Sequence, residues 1–362
     1  MLRYILVAII LLTHLNVVYA DWEIVKSYRI DNYRINHSSL RTLPIFRIGN
    51  FSFLNGNILS YRIYQETGTS TKYTHLETIS LEDGQIHQFS TGNEEIDQMP
   101  ALSFDGSYLL TGTSFGGSTI KDNSTGNLVP FEMNEPYMYG ANVVGMSPDN
   151  LYFYTRGKLY DGVNDVTRIY QSPNSPHQYF YAGPNFKDFT PLLNNKFVSY
   201  LKSTVQYLGV FNLQGQLISK MSEQCSRQPE VIFHEIRGGE DFVFTICSGK
   251  YIIWKIPAEN LPETLLPYKV IEQPILVYRT YYTDHRLSYL SASLSEKQDY
   301  FAHVTFNGQN KNVEVINLKT QENESIRLLH QPLFAAFLNS TGALQLVTVC
   351  RNGHILIWEK TN

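Results

Sequence analysis

The sequence predicts an all-β fold arranged as a single seven-bladed β-propeller, and three observations carry that prediction. One short pattern recurs seven times: an apolar strand, a turn rich in Asp, Asn, Gly or Ser, and a second apolar strand. The turns fall at Leu54-Asn55-Gly56, Phe104-Asp105-Gly106, Ser147-Pro148-Asp149, Leu193-Asn194-Asn195, Arg237-Gly238-Gly239, Ser295-Glu296-Lys297 and Asn339-Ser340-Thr341-Gly342. Their spacing is about 45 residues, the length of a four-stranded blade, and only the step from Gly239 to Lys297 is much longer. The composition agrees, since 25 Tyr and 20 Phe suit strands better than helices. Finally, the chain has a strand-like segment at each end whose natural partner is the other.

Taken in order, residues 1–20 read as a secretory leader. Arg3 is the positive start, residues 5–12 are an apolar core, and Val18-Tyr19-Ala20 supplies the cleavage site before Asp21. A membrane anchor is the competing reading, but the apolar run is shorter than the ~20 residues a bilayer needs, and Thr13, His14 and Asn16 interrupt its end. The mature chain, 21–362, is therefore expected to be one secreted propeller domain without membrane insertion. The full sequence's balance of 29 basic against 33 acidic residues, with one of the basic ones, Arg3, in the leader, argues against nucleic acid as a partner.

Residues 22–30 alternate as an orphan strand. Blade 1 follows, with a third strand over 73–81, a turn at Glu82-Asp83-Gly84-Gln85 and an outer strand over 86–89. Blade 2 gives strands over 101–104, 108–113, 118–122 and 128–131. Blade 4 gives 205–213 and 217–221. Near-continuous apolar runs are expected, because blade strands pack on neighbours through both faces. The last strand, 354–359, ends a blade that lacks its outer strand, so pairing it with 22–30 would close the ring and remove an exposed edge.

Two hairpins, Phe104-Asp105-Gly106-Ser107-Tyr108-Leu109-Leu110-Thr111-Gly112 and Ser147-Pro148-Asp149-Asn150-Leu151-Tyr152-Phe153-Tyr154, resemble the first hairpin of WD-repeat and YVTN-type propellers. Ile252-Ile253-Trp254-Lys255 and Ile355-Leu356-Ile357-Trp358-Glu359 look like the strand that ends in the Trp-Asp pair of WD repeats, with Lys255 and Glu359 where that family has Asp. The resemblance implies a propeller and a protein-binding role, and no chemistry.

Three cysteines leave one over in a secreted chain. Cys247 ends the second strand of blade 5 and Cys225 lies in the loop entering that blade, so a Cys225–Cys247 disulfide is geometrically reasonable. Three buried free thiols are the alternative. Cys350 holds in blade 7 the place that Cys247 holds in blade 5, too far away to bridge it. Five glycosylation sequons occur, at Asn36, Asn50, Asn123, Asn323 and Asn339. Asn123, Asn323 and Asn339 map to first-to-second or third-to-fourth strand turns, which share one face. Asn36 falls on the other face and Asn50 within a strand. Sugar would crowd the turn face and leave the inter-blade loops as the binding surface.

On those loops, the longest insertion (272–287) carries Tyr278, Tyr281, Tyr282 and Arg286, and the loop between blades 2 and 3 carries Tyr137 and Tyr139. Tyr and Arg dominate interface hot spots because they bring large area with a polar end. A packed loop whose tyrosines cover blade 6 is the plainer reading. Acidic residues gather on Glu94, Glu95 and Asp97 and on Asp161 and Asp165; oxygen ligands on loops suit Ca²⁺, although their spacing matches no known calcium loop and a solvated rim accounts for them. No other cofactor motif is present. Gly112-Thr113-Ser114-Phe115-Gly116 matches a nucleophile elbow in letters, but it joins two strands and lacks the helix that the elbow requires. The leading expectation is a non-enzymatic scaffold that binds a protein or glycan. The alternative is a propeller hydrolase or lactonase with dispersed carboxylates, and calcium, near the central channel.

Overall fold

Every regular element among the described residues is a β-strand. The structure, a computed structural model, describes residues 21–30, 45–54, 57–67, 70–89, 101–112, 118–129, 138–159, 165–171, 179–182, 186–202, 206–222, 231–247, 250–272, 292–304, 312–340, 342–350 and 352–361. The chain divides into two units, Arg34–Ile275 and a second made of Met1–Tyr33 with Leu276–Asn362.

Among the described residues the first element is β1 (Trp22–Arg29), which belongs to the second unit. In the first unit, the leading sheet runs β2 (Ile45–Leu54), β3 (Ile58–Thr67), β4 (Ser70–Ser80) and β5 (Ile86–Phe89). Next come β6 (Ala101–Leu102), β7 (Tyr108–Gly112), β8 (Ser118–Asp122) and β9 (Leu128–Val129), then β10 (Met138–Met146), β11 (Tyr152–Leu159), β12 (Asp165–Gln171) and β13 (Tyr179–Ala182). The fourth sheet is β14 (Phe186–Pro191), β15 (Lys196–Lys202), β16 (Gln206–Asn212) and β17 (Leu217–Met221). The fifth is β18 (Val231–Arg237), β19 (Glu240–Cys247), β20 (Lys250–Ile256) and, after β21 (Thr264–Leu265), β22 (Lys269–Ile271). Each is an antiparallel meander in chain order.

One feature departs from the expected blade. β21 leaves its own sheet and pairs in parallel with β17, giving the fourth sheet a fifth strand. Lys220 N–H bonds Glu263 O and Ser222 N–H bonds Leu265 O, both at 2.9 Å. The long step between the fifth and sixth turns is therefore taken up partly by residues 257–268, not by the 272–287 insertion alone. Ends also shift: the first strand of the second sheet stops at Leu102 because Ser103 already starts the turn, and β4 begins at Ser70 rather than at Tyr73.

The first unit's core runs between sheets. Tyr154 of β11 packs on Phe189, and Phe189, Phe197 and Phe211 stack across β14, β15 and β16 at centroid distances of 4.3 and 5.4 Å. In β19 every residue from Asp241 to Cys247 is buried, as expected for a strand covered on both faces. Each such Phe or Ile contributes about 1.5–3 kcal/mol of burial.

The second unit holds two sheets: β23 (Ala292–Leu294), β24 (Tyr300–Val304), β25 (Asn312–Asn317) and β26 (Asn323–Arg327), then β27 (Pro332–Phe337), β28 (Gln345–Cys350) and β29 (His354–Lys360), with β1 antiparallel on the outside of β29. They share one core that includes Ala302, Val313, Phe337, Leu346 and Trp358. Trp22 anchors β1 into it, 4% exposed, with its indole N–H donating to Glu324 Oε2 at 2.7 Å. Lys360 pairs with the same carboxylate and lies over the Trp22 and Tyr300 rings at 5.6 and 5.4 Å.

Candidate functional site

Three of the first-to-second-strand turns are built alike. In Ser103-Phe104-Asp105 the Ser hydroxyl donates to Asp105 Oδ1 (2.7 Å) and accepts the Tyr108 N–H (2.9 Å). Ser147 does the same with Asp149 (2.6 Å) and Tyr152 N–H (3.1 Å), and Ser295 with Asp299 (2.8 Å) and Tyr300 N–H (3.0 Å). A Ser followed five residues later by Tyr thus closes three hairpins, each in a turn that favours a positive φ, such as +75° at Gly106 and +57° at Asn150.

These turns also join neighbouring sheets of the first unit. Asn150 Nδ2 donates to Asp105 Oδ2 at 2.7 Å, and Asn194 N–H donates to Asp149 Oδ2 at 2.9 Å. Leu193 N–H then reaches both oxygens of Asp241 at 3.2 Å. Burial works against the Asp105 carboxylate, but hydrogen bonds from Ser107, Ser103 and Asn150 outweigh it and hold its pKa below the usual range. The fourth sheet has no turn Ser, and Tyr152 of the third replaces it. Its hydroxyl accepts Leu192 N–H at 3.1 Å and donates to Lys196 O, and burial pushes that phenol well above its ordinary pKa. Lys196 in turn donates to Pro257 O (3.0 Å) and Ala258 O (2.8 Å); burial lowers its pKa.

Asp241 carries one arrangement with chemical potential. It is 1% exposed, and His234 Nε2 lies 2.7 Å from its Oδ1. A buried carboxylate that fixes one imidazole nitrogen leaves the other for proton transfer or ligand binding. Among the described residues, no group of three or more His, Cys, Asp or Glu could hold a metal ion. No helix among them is long and apolar enough to cross a membrane.

Of the residues singled out from the sequence, Tyr278, Tyr281, Tyr282, Arg286, Tyr137, Glu94, Glu95, Asp97, Asp161, Ser114, Asn36 and Cys225 lie outside the described residues. The structure places Tyr139 on β10 and Asp165 on β12, both with Cα partner Lys158 of β11. Asn50 sits in β2 where the register shifts between Gly49 and Ser52. Asn123 follows β8, half-buried, and its amide donates to Gly106 O at 2.8 Å. Asn323 opens β26 and Asn339 lies in the β27–β28 turn, both exposed. Cys247 ends β19 and Cys350 ends β28; Cys350 is a free thiol that burial pushes up to about 12.

Sequence reasoning did not find Tyr152, Lys196, His234 or Asp241. The Ser-to-Tyr spacing in the turns was a visible signal for Tyr152. The Arg237-Gly238-Gly239 turn was legible, but the His234–Asp241 pairing depends on the register of the β18–β19 hairpin, which no local motif marks.

No family model matches the chain and no curated protein matches it. Among solved structures 1076 chains are similar. One belongs to a crystal structure of a mitotic checkpoint complex, with a TM-score of 0.55 and 9% identity, covering 94% of this chain and 96% of that one. At that identity the likeness shows the fold alone, and the fold is a WD-like β-propeller. So widely shared an architecture fixes no activity. Both tryptophans of the Ile-Trp-Lys and Ile-Trp-Glu strands are held by a threonine of the adjacent strand: Trp254 Nε1–H donates to Thr245 Oγ1 at 3.1 Å, and Trp358 Nε1–H to Thr348 Oγ1 at 2.9 Å.

Proposed function

We propose that the protein is a secreted, non-enzymatic binding scaffold. In this reading the leader is removed before Asp21, and the seven sheets form one seven-bladed ring that β1 closes as the outer strand of the last blade. The loops joining one blade to the next then present a surface to a protein or glycan. The observation that carries the choice of face is the use of the hairpin turns. Asp105, Asp149, Asp241 and Tyr152 are engaged with the neighbouring sheet, so the polarity of that strand end is structural. Asn323, Asn339 and Asn123 lie at the same end of their own sheets, where glycans would flank it. A Cys225–Cys247 bridge would tie the entry loop to β19. The similar chain from a multi-protein complex supports a protein as partner.

The test is capture from the secreted milieu with the intact protein. A partner held by the native chain and lost from a Tyr281→Ala, Tyr282→Ala variant supports the reading; retention unchanged by it puts the binding surface elsewhere. The pairing of His234 with Asp241 favours a second reading, a propeller hydrolase or lactonase, with Glu94, Glu95, Asp97, Asp161 and Asp165 as ligands for calcium. That reading requires turnover on an ester or lactone panel that His234→Ala abolishes, and a melting temperature that a chelator lowers.

A further inference from the structure

We propose that Asn352 is a deamidation site gated by β1. The Asn352-Gly353 bond is protected while β1 is docked on β29, and its conversion to isoaspartate stops β1 from docking again. The inference goes beyond the scaffold reading and does not depend on what the protein binds.

Asparagine followed by glycine is prone to this reaction because the attacking main-chain nitrogen belongs to a residue with no Cβ in the way. Three such pairs occur, Asn55-Gly56, Asn307-Gly308 and Asn352-Gly353, and the first two lie outside the described residues. The third lies in the turn from β28 to β29. There the Gly353 nitrogen forms a bond to Asn352 Cγ, the Cγ–Nδ2 bond breaks, and the side-chain nitrogen leaves as ammonia with the Gly353 amide proton. The product is a cyclic succinimide. Water then opens the ring at either carbonyl, its hydroxyl going to carbon and its proton to nitrogen. One opening gives aspartate. The other gives isoaspartate, whose main chain runs through the former side chain and is one methylene longer.

The structure holds both partners of the first step apart. Gly353 N–H donates to Cys350 O at 2.9 Å, and the Asn352 amide oxygen accepts His354 N–H at 3.3 Å. Bringing the nitrogen onto Cγ requires the chain to rotate between Asn352 and Gly353, and that swings Gly353 out of place. Gly353 is wedged against the end of β1. It sits at φ +83°, its carbonyl accepts Ile30 N–H at 3.0 Å, and the position of a Cβ on it would lie 3.2 Å from Ile30 O and 3.7 Å from Ile30 Cβ. The turn is therefore free to rotate only after Ile30 has moved, so local opening of β1 sets the rate. β1 is an outer strand that pairs with β29 and carries exposed Ile24 and Val25.

The modification then acts back on the strand. Hairpin loop length fixes the register of the strands it joins. A methylene added between Cys350 and His354 shifts Gly353 O away from Ile30 N–H, whereas the aspartate product keeps the length of the chain and an oxygen for His354 N–H. Isoaspartate is thus the form that leaves the β29 edge bare.

The experiment follows conversion at Asn352 by peptide mapping during incubation in mildly alkaline buffer. It compares the native protein, Trp22→Ala, and a synthetic peptide of residues 348–356 kept reduced. The native chain should convert at least about tenfold more slowly than the peptide, and Trp22→Ala should recover much of the difference. Lys360→Met loosens the same anchor more gently and should lie between them, which keeps the test open if Trp22→Ala does not fold. A native rate equal to the peptide's overturns the protection, and a rate unchanged in both variants overturns the gate. An equal rise at Asn55, in the other unit, assigns the effect to global unfolding and overturns the gate as well. The second half is read by tryptic cleavage after Lys26. Deamidated protein collected by ion exchange should be cut about fivefold or more faster than Asn352→Asp, which carries the same charge without the extra methylene. Equal cutting of the two overturns the claim that isoaspartate unlocks β1.

Discussion

Thr245 and Thr348 each take the indole N–H of a tryptophan one strand away, and the Trp358 pair is the better one for measuring what such a contact contributes. Thr348→Val keeps the shape and leaves Trp358 Nε1–H buried with its acceptor gone, so urea unfolding should show a loss of about 1–3 kcal/mol. Adding Trp358→Phe removes the stranded donor and should cost less than the two single effects combined. His303 is the second sensitive residue. It is fully buried in β24 against Phe301, and burial lowers its pKa from 6.5 to about 4. Its native form is neutral while the unfolded form gains a proton first, so stability is retained above pH 6.5 and falls as the pH drops towards 4. The size is of order 3 kcal/mol over that window. Chemical denaturation of His303→Phe against the native protein at pH 7 and pH 4.5 checks it, and an equal acid loss in both would assign the loss to other groups. The tryptophans were readable from Ile-Trp-Lys and Ile-Trp-Glu; their threonine partners were not, because they depend on strand register.

At the scale of the element, β1 shows how pattern and burial diverge. The alternation of residues 22–30 implies one buried face, yet within β1 only Trp22 is buried, while Ile24 and Val25 are 52% and 45% exposed beside a register shift that bends the edge. The strand is fixed at its ends, by Trp22 with Glu324 and by Ile30 on Gly353. Trp22→Ala should therefore destabilise by about 3–5 kcal/mol, and Ile24→Ser by no more than about 0.5 kcal/mol. Deleting residues 21–30 should bare the edge of β29 and cause aggregation. A deletion variant that is secreted as a monomer with unchanged melting would show that β1 is dispensable. The outer strands over 86–89 and 217–221 and the third strand over 118–122 are found at the expected bounds, since turn residues flank them. β21 was illegible, because two residues near Pro262 and Pro267 carry no periodicity and its partner lies far away in sequence. The same local logic applies to the cysteines. Non-reducing peptide mapping should join Cys225 to Cys247 and leave Cys350 free; a peptide joining Cys350 to either would overturn the assigned strand positions.

For the whole molecule, the repeat of about 45 residues made the propeller legible because each blade must bury its faces against the next. Function did not become legible with it. The residues that mark the turns are used up in holding the sheets together, and those that would meet a partner sit on loops with no constraint of spacing. The binding face is where the proposed reading is most exposed to test. If the inter-blade loops engage the partner, Tyr281→Ala and Tyr282→Ala should each weaken it by about 2 kcal/mol or more, roughly thirtyfold. Tyrosines that only cover a neighbouring blade would instead lower stability and leave the affinity of the folded fraction unchanged. Asn323→Gln is the matched control: it removes a sequon from an exposed strand start at the opposite strand end, and should alter neither affinity nor melting. Affinities measured by biolayer interferometry, on protein whose folded fraction is known from near-UV circular dichroism, separate these outcomes. Weakening by Asn323→Gln with none from the tyrosine changes would mean that the turn end, hydrogen-bonded as it is, is the face that binds.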